Sequence, residues 1–288
     1  MKKYLKDGFV VYHYDFDTLH QFLTQIQSRP INQNVFFSEV SHKNDTKAIE
    51  FTGTRNFKEA VDLCQKGWSE DFEKLVSFKK SVDEMLLSPI TKTKQVQDIV
   101  GYNPSVSDYL IGNPLNMWNK TKKQIPGFIN IYINIAYNYY TDQNSIFNRG
   151  IIVQSFVDAL QHKGYGVRFK AFICLHEHNE VCFASFNLKN DVEKLNIKKT
   201  YFPLCHPSFF RRLCFRLLET TPVECEMWAY NYGSPSESAI FKNIINPGPN
   251  DIIITQPSEM GIRGYDIYDD LKFFLMCTNL QEFLTRIW

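Results

Sequence analysis

Over residues 1–88 the apolar positions recur at helical spacing. Leu19, Phe22, Leu23 and Ile26 fall at i, i+3, i+4 and i+7, one face of an amphipathic helix with Asp17 as its expected N-cap. Asn56, with Glu59 three residues on, forms a capping box for a second helix, whose stripe is Phe57, Ala60, Val61 and Cys64 and whose C′ residue is Gly67. A third helix directs Phe72, Leu75, Val76, Val82, Met85 and Leu86 inward and ends at Pro89. The pieces Val35–Phe37 and Ile49–Thr54 read as extended. The pattern predicts a small α+β module over 1–88.

Residues 89–127 break this rhythm. Pro89, Pro104, Pro114 and Pro126, with Gly101, Gly112 and Gly127, interrupt every long helix. Val100, Tyr109, Leu110, Ile111, Met117 and Trp118 are too frequent for a solvated linker, so an ordered connection packed across the next domain is expected.

From 128 the period changes to two. Ile129, Ile131, Ile133 and Ile135 alternate with Asn130, Tyr132, Asn134 and Ala136, marking a strand. A helix is expected over about 148–163, a continuous apolar strand over 167–175, and a hairpin partner over 181–188 after the turn 176–179. Pro207 opens a helix that buries Phe210, Leu213, Cys214, Leu217 and Leu218; a strand at Ile252–Ile254 and a helix over about 280–287 follow. This order predicts an α/β domain over 128–288, with a mostly parallel sheet and one antiparallel strand.

INIYINIAYN, the helix through NRGIIVQSFVDALQHKGYGV, and the hairpin RFKAFICLHEHNEVCFASFNLK together resemble the first half of a von Willebrand factor A-like domain. The F-T-G-T, F-K-E-A and Q-K-G-W pieces at 51–68 are similar to proteins of phages and mobile elements that couple such a domain to an N-terminal module. The resemblance implies partner binding at the carboxyl edge of the sheet. It also implies a metal-ion-dependent adhesion site, Asp-x-Ser-x-Ser, at the end of the first strand. Here that stretch reads Ile135-Ala136-Tyr137-Asn138-Tyr139-Tyr140-Thr141-Asp142, a departure from the motif. Asp142, Asn138 and Thr141 still offer oxygen ligands to Mg²⁺.

Composition narrows the function. The 32 Lys+Arg against 31 Asp+Glu give a formal charge of +1, without the basic excess of a dedicated duplex-DNA binder. With 44% hydrophobic and 22% charged residues, the chain has the material for a core. No apolar run reaches membrane-spanning length, and the run Phe9–Tyr12 is too short for a signal peptide. The 7 cysteines include no C-x-x-C pair, so a reducing, cytoplasmic location is expected.

Three readings of the chemistry follow. Tyr137, Tyr139, Tyr140 and Asp142 lie at the carboxyl edge of the first strand, where aromatic anchors suit a protein partner, so the leading expectation is a non-catalytic interaction or scaffold protein. Arg211, Arg212 and Arg216 on one helix, with Lys120, Lys122 and Lys123 near Trp118, form the basic spots of an alternative, nucleic-acid-binding protein. Cys174, His176 and His178 at period-two spacing, with Cys182 across the turn, are the candidate ligands of a zinc enzyme. A Cys205–His206 nucleophile and base would be neighbours in sequence, which rarely gives catalytic geometry. No Walker A, G-x-S-x-G or G-x-G-x-x-G motif occurs.

Overall fold

The computed structural model describes residues 1–32, 40–86, 94–121, 128–191, 193–222, 234–277 and 280. Val35–Phe37, Pro89, Lys122, Lys123, Pro126, Gly127, Cys225 and the helix expected over 281–287 lie outside them.

Two N-terminal strands, β1 (Lys2–Lys6) and β2 (Phe9–Phe16), form an antiparallel hairpin. They join β6 (Phe128–Asn134), β7 (Gly166–Glu177), β8 (Glu180–Lys189) and β9 (Asp251–Ile254) in one sheet of order β1-β2-β8-β7-β6-β9. The β2·β8, β7·β6 and β6·β9 pairs are parallel, and the β1·β2 and β8·β7 pairs antiparallel. The expected mostly parallel sheet is present, with two antiparallel pairs because the N-terminal hairpin extends it beyond β8.

Side chains alternate across this sheet as a period of two requires. Tyr12, Tyr14, Phe16, Ile131, Ile133, Ile173 and Phe186 face one core; Val11, Phe172, Cys174, Phe183 and Ile253 face the other. The larger core lies under α1 (Leu19–Ser28), α3 (Phe57–Lys66), α4 (Phe72–Leu86) and α6 (Gln143–His162). Also over it are α7 (Ile197–Cys205), a π-helical turn over Phe209–Cys214 that continues into α8 (Phe215–Glu219), and α10 (Ile267–Met276). The smaller core packs against α9 (Ser238–Ile245) through Phe241. Residues 1–88 thus share sheet and core with 128–280 rather than closing on themselves as a separate α+β module.

Local signals explain most elements. The α1 stripe is buried as spaced, although Thr18, not Asp17, caps it by accepting from the Gln21 N–H. Asn56 caps α3 by accepting from the Glu59 N–H, and Glu59 returns a bond to the Arg55 N–H. Ile49–Thr54, expected to be extended, instead falls largely in α2 (Thr46–Thr52), capped by Asp45 and ended by Gly53 in the left-handed region. In α4, Leu75, Phe78 and Val82 are buried, whereas Val76 is exposed. Helix α6 is buried on nearly all sides and begins earlier than expected, at the N-cap Asp142.

Residues 94–121 form a second, antiparallel sheet of order β3-β5-β4, made of β3 (Lys94–Asp98), β4 (Asn103–Pro104) and β5 (Met117–Thr121). The short α5 (Val106–Leu110) is inserted between β4 and β5. Val100, Tyr109, Leu110 and Ile111, expected to pack across the next domain, are exposed.

Candidate functional site

The chain leaves β6 into the core before reaching the surface. Ile135, Ala136 and Tyr137 are buried, the Tyr137 hydroxyl donates to the Pro207 carbonyl at 3.1 Å, and burial pushes its ionisation up. The chain then turns through Asn138–Thr141, and the Asp142 carboxylate accepts from the Asn144 and Ser145 N–H groups at 2.8 and 3.3 Å. Asp142 is therefore engaged as the α6 cap, where an anion complements the positive end of the helix.

A guanidinium organises this turn from inside. Arg211, on the π-helical turn, donates through Nη2 to the Tyr139 and Thr141 carbonyls at 3.2 and 2.9 Å and through Nη1 to the Phe51 carbonyl at 2.8 Å. It also lies 4.2 Å from the Phe51 ring centroid and 5.0 Å from that of Tyr137. The oxygens considered for Mg²⁺ are thus largely committed, the Thr141 carbonyl to an internal cation and the Asp142 carboxylate to the helix. Burial lowers the Arg211 pKa, opposed by Tyr137, Tyr139 and Asp142.

What this turn gives to solvent is Tyr139, 69% exposed, and Tyr140, 91% exposed. The Tyr139 ring stacks on Phe51 with centroids 5.0 Å apart, and Tyr140 meets Tyr139 edge-on at 5.3 Å. Of the four residues expected to bind a partner, Tyr137 is withdrawn into the core and Asp142 caps a helix. Tyr139 and Tyr140 form an outward-facing pair.

A second buried guanidinium, Arg149 on α6, donates through Nη1 to the Asn134 carbonyl at 2.8 Å and the Thr255 carbonyl at 2.9 Å. It thereby ties together the carboxyl ends of β6 and β9. Burial pulls its pKa down to about 10, against the pull of Tyr137, Cys205 and Glu259. Nothing in the sequence pattern marked Arg149 beyond its being a lone arginine on an apolar helix.

The remaining arginines of the expected basic patch also face inward. Arg212 donates to Thr54 Oγ1 and to the Ser41, Lys43 and Thr54 carbonyls at 2.7–2.9 Å. Arg216 reaches the Ile26 carbonyl at 3.3 Å and pairs with buried Glu219 at 3.7 Å. These side chains are not a solvent-facing phosphate-binding row, because their charge is spent on backbone carbonyls. Lys120 lies on β5.

The four expected zinc ligands do not converge. Cys174 and Cys182 belong to cores on opposite sheet faces, and burial pushes both thiols up to about 12. His176 is half-buried, and exposed His178 sits at the hairpin turn with φ 52°. Among the described residues, no group of three or more His, Cys, Asp or Glu is placed to hold a metal ion. The two histidines instead border an open groove of about 370 Å³ with Phe9, Val11, Glu237 and Ile240.

Cys205 is buried, with its thiol raised well above the usual range. His206 accepts from the Ser208 N–H at 3.1 Å through Nδ1, and burial holds its pKa down at about 4. That arrangement disfavours a thiolate nucleophile.

A family model described as a domain of unknown function, DUF7192, matches residues 3–286. The chain belongs to that family. No curated protein and no solved structure matches it. The DUF7192 match runs from the N-terminal hairpin to beyond α10, so it takes in the whole six-stranded sheet and the residues 94–121. Among the described residues, no helix is long and apolar enough to cross a membrane.

Proposed function

We propose that the chain is a non-catalytic protein-interaction module that binds a partner at the carboxyl edge of its parallel strands, with Tyr139 and Tyr140 as anchors. The observation that carries this reading is the Arg211 clamp. It holds the backbone on both sides of Tyr140 from within, so this segment of backbone has little freedom left to lose when the two exposed rings meet a partner. Aromatic side chains held in this way are favoured interface anchors. The local order β8-β7-β6-β9, with antiparallel β8, supports a von Willebrand A-like frame of the kind that phage and mobile-element proteins would use. In open α/β sheets the carboxyl edge is the usual place for ligands. The nucleic-acid reading has less support, since Arg211, Arg212 and Arg216 are spent internally.

The test is a native pull-down of the tagged full chain from its host cells, with and without nuclease, set beside the Tyr139→Ala/Tyr140→Ala variant. A stoichiometric protein that survives nuclease and falls at least tenfold with the variant is expected. The variant's thermal melt should match that of the parent. A partner retained by the variant overturns the assignment of the edge, and partners lost on nuclease treatment move the function to nucleic acid.

A further inference from the structure

We propose that the exposed apolar surface of residues 97–115 is the contact between two copies of this chain. It is a separate surface from the Tyr139–Tyr140 pair. Ile99, Val100, Val106, Tyr109, Leu110 and Ile111 are each at least 66% exposed within a stretch of 13 residues. Over 97–119, Ser105 is the only buried residue among the described side chains. A three-stranded sheet needs a buried apolar face for its stability, and among the described side chains of 97–119 no large apolar one is buried. The six side chains expose an area on the order of several hundred Å². That exceeds or matches the largest apolar patch on a typical monomer and approaches the roughly 800 Å² that each partner contributes to a stable interface.

Charge selects the occupant. Between Gln97 and Asn119 the sequence holds only two charged residues, Asp98 and Asp108. Asp98 accepts from the Ile99 N–H at 2.7 Å, and Asp108 accepts from Gln97 and Ser105. With only these two carboxylates, both already hydrogen-bonded, the surface offers few charges by which an unlike partner is steered or selected. A second copy meets its apolar part at little cost, because a two-fold contact sets each patch against itself and apolar groups tolerate self-juxtaposition, with Asp98 and Asp108 left towards the rim. Interfaces between identical copies are also the more apolar class. The formal charge of +1 leaves no long-range repulsion between copies.

The experiment is sedimentation velocity and light scattering on the full chain from nanomolar to tens of micromolar, repeated with Leu110→Asp and with the milder Ile111→Ser. Added vesicles of anionic lipid provide a parallel flotation assay. The expected result is a species of twice the 33.8 kDa chain mass. Its dissociation constant should rise at least tenfold in Ile111→Ser and further in Leu110→Asp. Circular dichroism of both variants should keep the parent signal, since the mutated side chains touch no core. A parent that stays monomeric throughout, a dimer that survives both substitutions, or a monomer that floats with vesicles overturns the proposal.

Discussion

At the scale of single residues, polar groups in this chain are buried to a purpose, and the burial of His206 has a signature on the acid side of neutral pH. Packed against Trp68 and Phe202, its ring accepts from the Ser208 N–H and is held neutral, with a pKa of about 4 against an ordinary 6.5. The unfolded chain takes up the proton near pH 6.5 and the folded chain only near 4, so stability is full above 6.5 and falls as the pH drops through that window. Between pH 7 and 5 the loss is about 2 kcal/mol. Urea unfolding at the two pH values measures it. His206→Asn keeps an acceptor near the Ser208 N–H and cannot titrate, so its stability, lower at pH 7, should change much less over the same interval. An equal pH dependence in both proteins would show that another group is responsible. No feature of the sequence separated buried His206 from exposed His178, because a histidine's environment is set by residues far away in the chain.

Among the elements, sequence legibility followed how local the determining interactions are. The stripes of α1 and α3 and the Asn56 box were readable because helical spacing and capping act within one turn. Ile49–Thr54 misled, since Ile49 and Phe51 alternate like a strand, yet Asp45 and Gly53 bracket the segment as helix caps do. The arginine helix misled for a different reason. Successive charged residues look like a solvated face, but the π-helical turn carries both Arg211 and Arg212 inward to carbonyls supplied by residues 41–54 and 139–141. The α6–α7 contact was equally invisible, and it makes a firm prediction. A Cβ on Gly150 would meet the Cys205 sulfur and lie 2.6 Å from the Leu204 carbonyl oxygen. Gly150→Ala should therefore lower stability by about 1–3 kcal/mol, even though alanine is the better helix former. Thermal unfolding measures this as a fall of several degrees. A raised melting temperature would mean that the two helices separate freely.

For the whole molecule, the decisive feature is a pairing that crosses most of the chain: β2 lies parallel to β8, with Val10 opposite Glu180 and Phe16 opposite Phe186. Period-two patterning revealed β6, a continuous apolar run revealed β7 and the turn after it revealed β8, but none of these signals says which distant strand lies beside another. Residues 1–88 therefore read as a separate module when they complete a shared sheet. The consequence is testable with residues 128–288 alone. Such a fragment would uncover the hydrogen-bonding edge of β8 and strip Phe186 of Phe16 and Phe22, whose rings lie 5.5 and 4.8 Å away. It would also leave Arg212 without the Ser41, Lys43 and Thr54 acceptors and Arg211 without the Phe51 carbonyl. An apolar, unpaired strand edge promotes association, and buried guanidinium groups stripped of acceptors are costly. The fragment should therefore aggregate or show no cooperative melt, whereas the full chain melts cooperatively. A monodisperse fragment with a sharp thermal transition would instead establish 128–288 as an autonomous domain, with the N-terminal hairpin an addition to a sheet already stable without it.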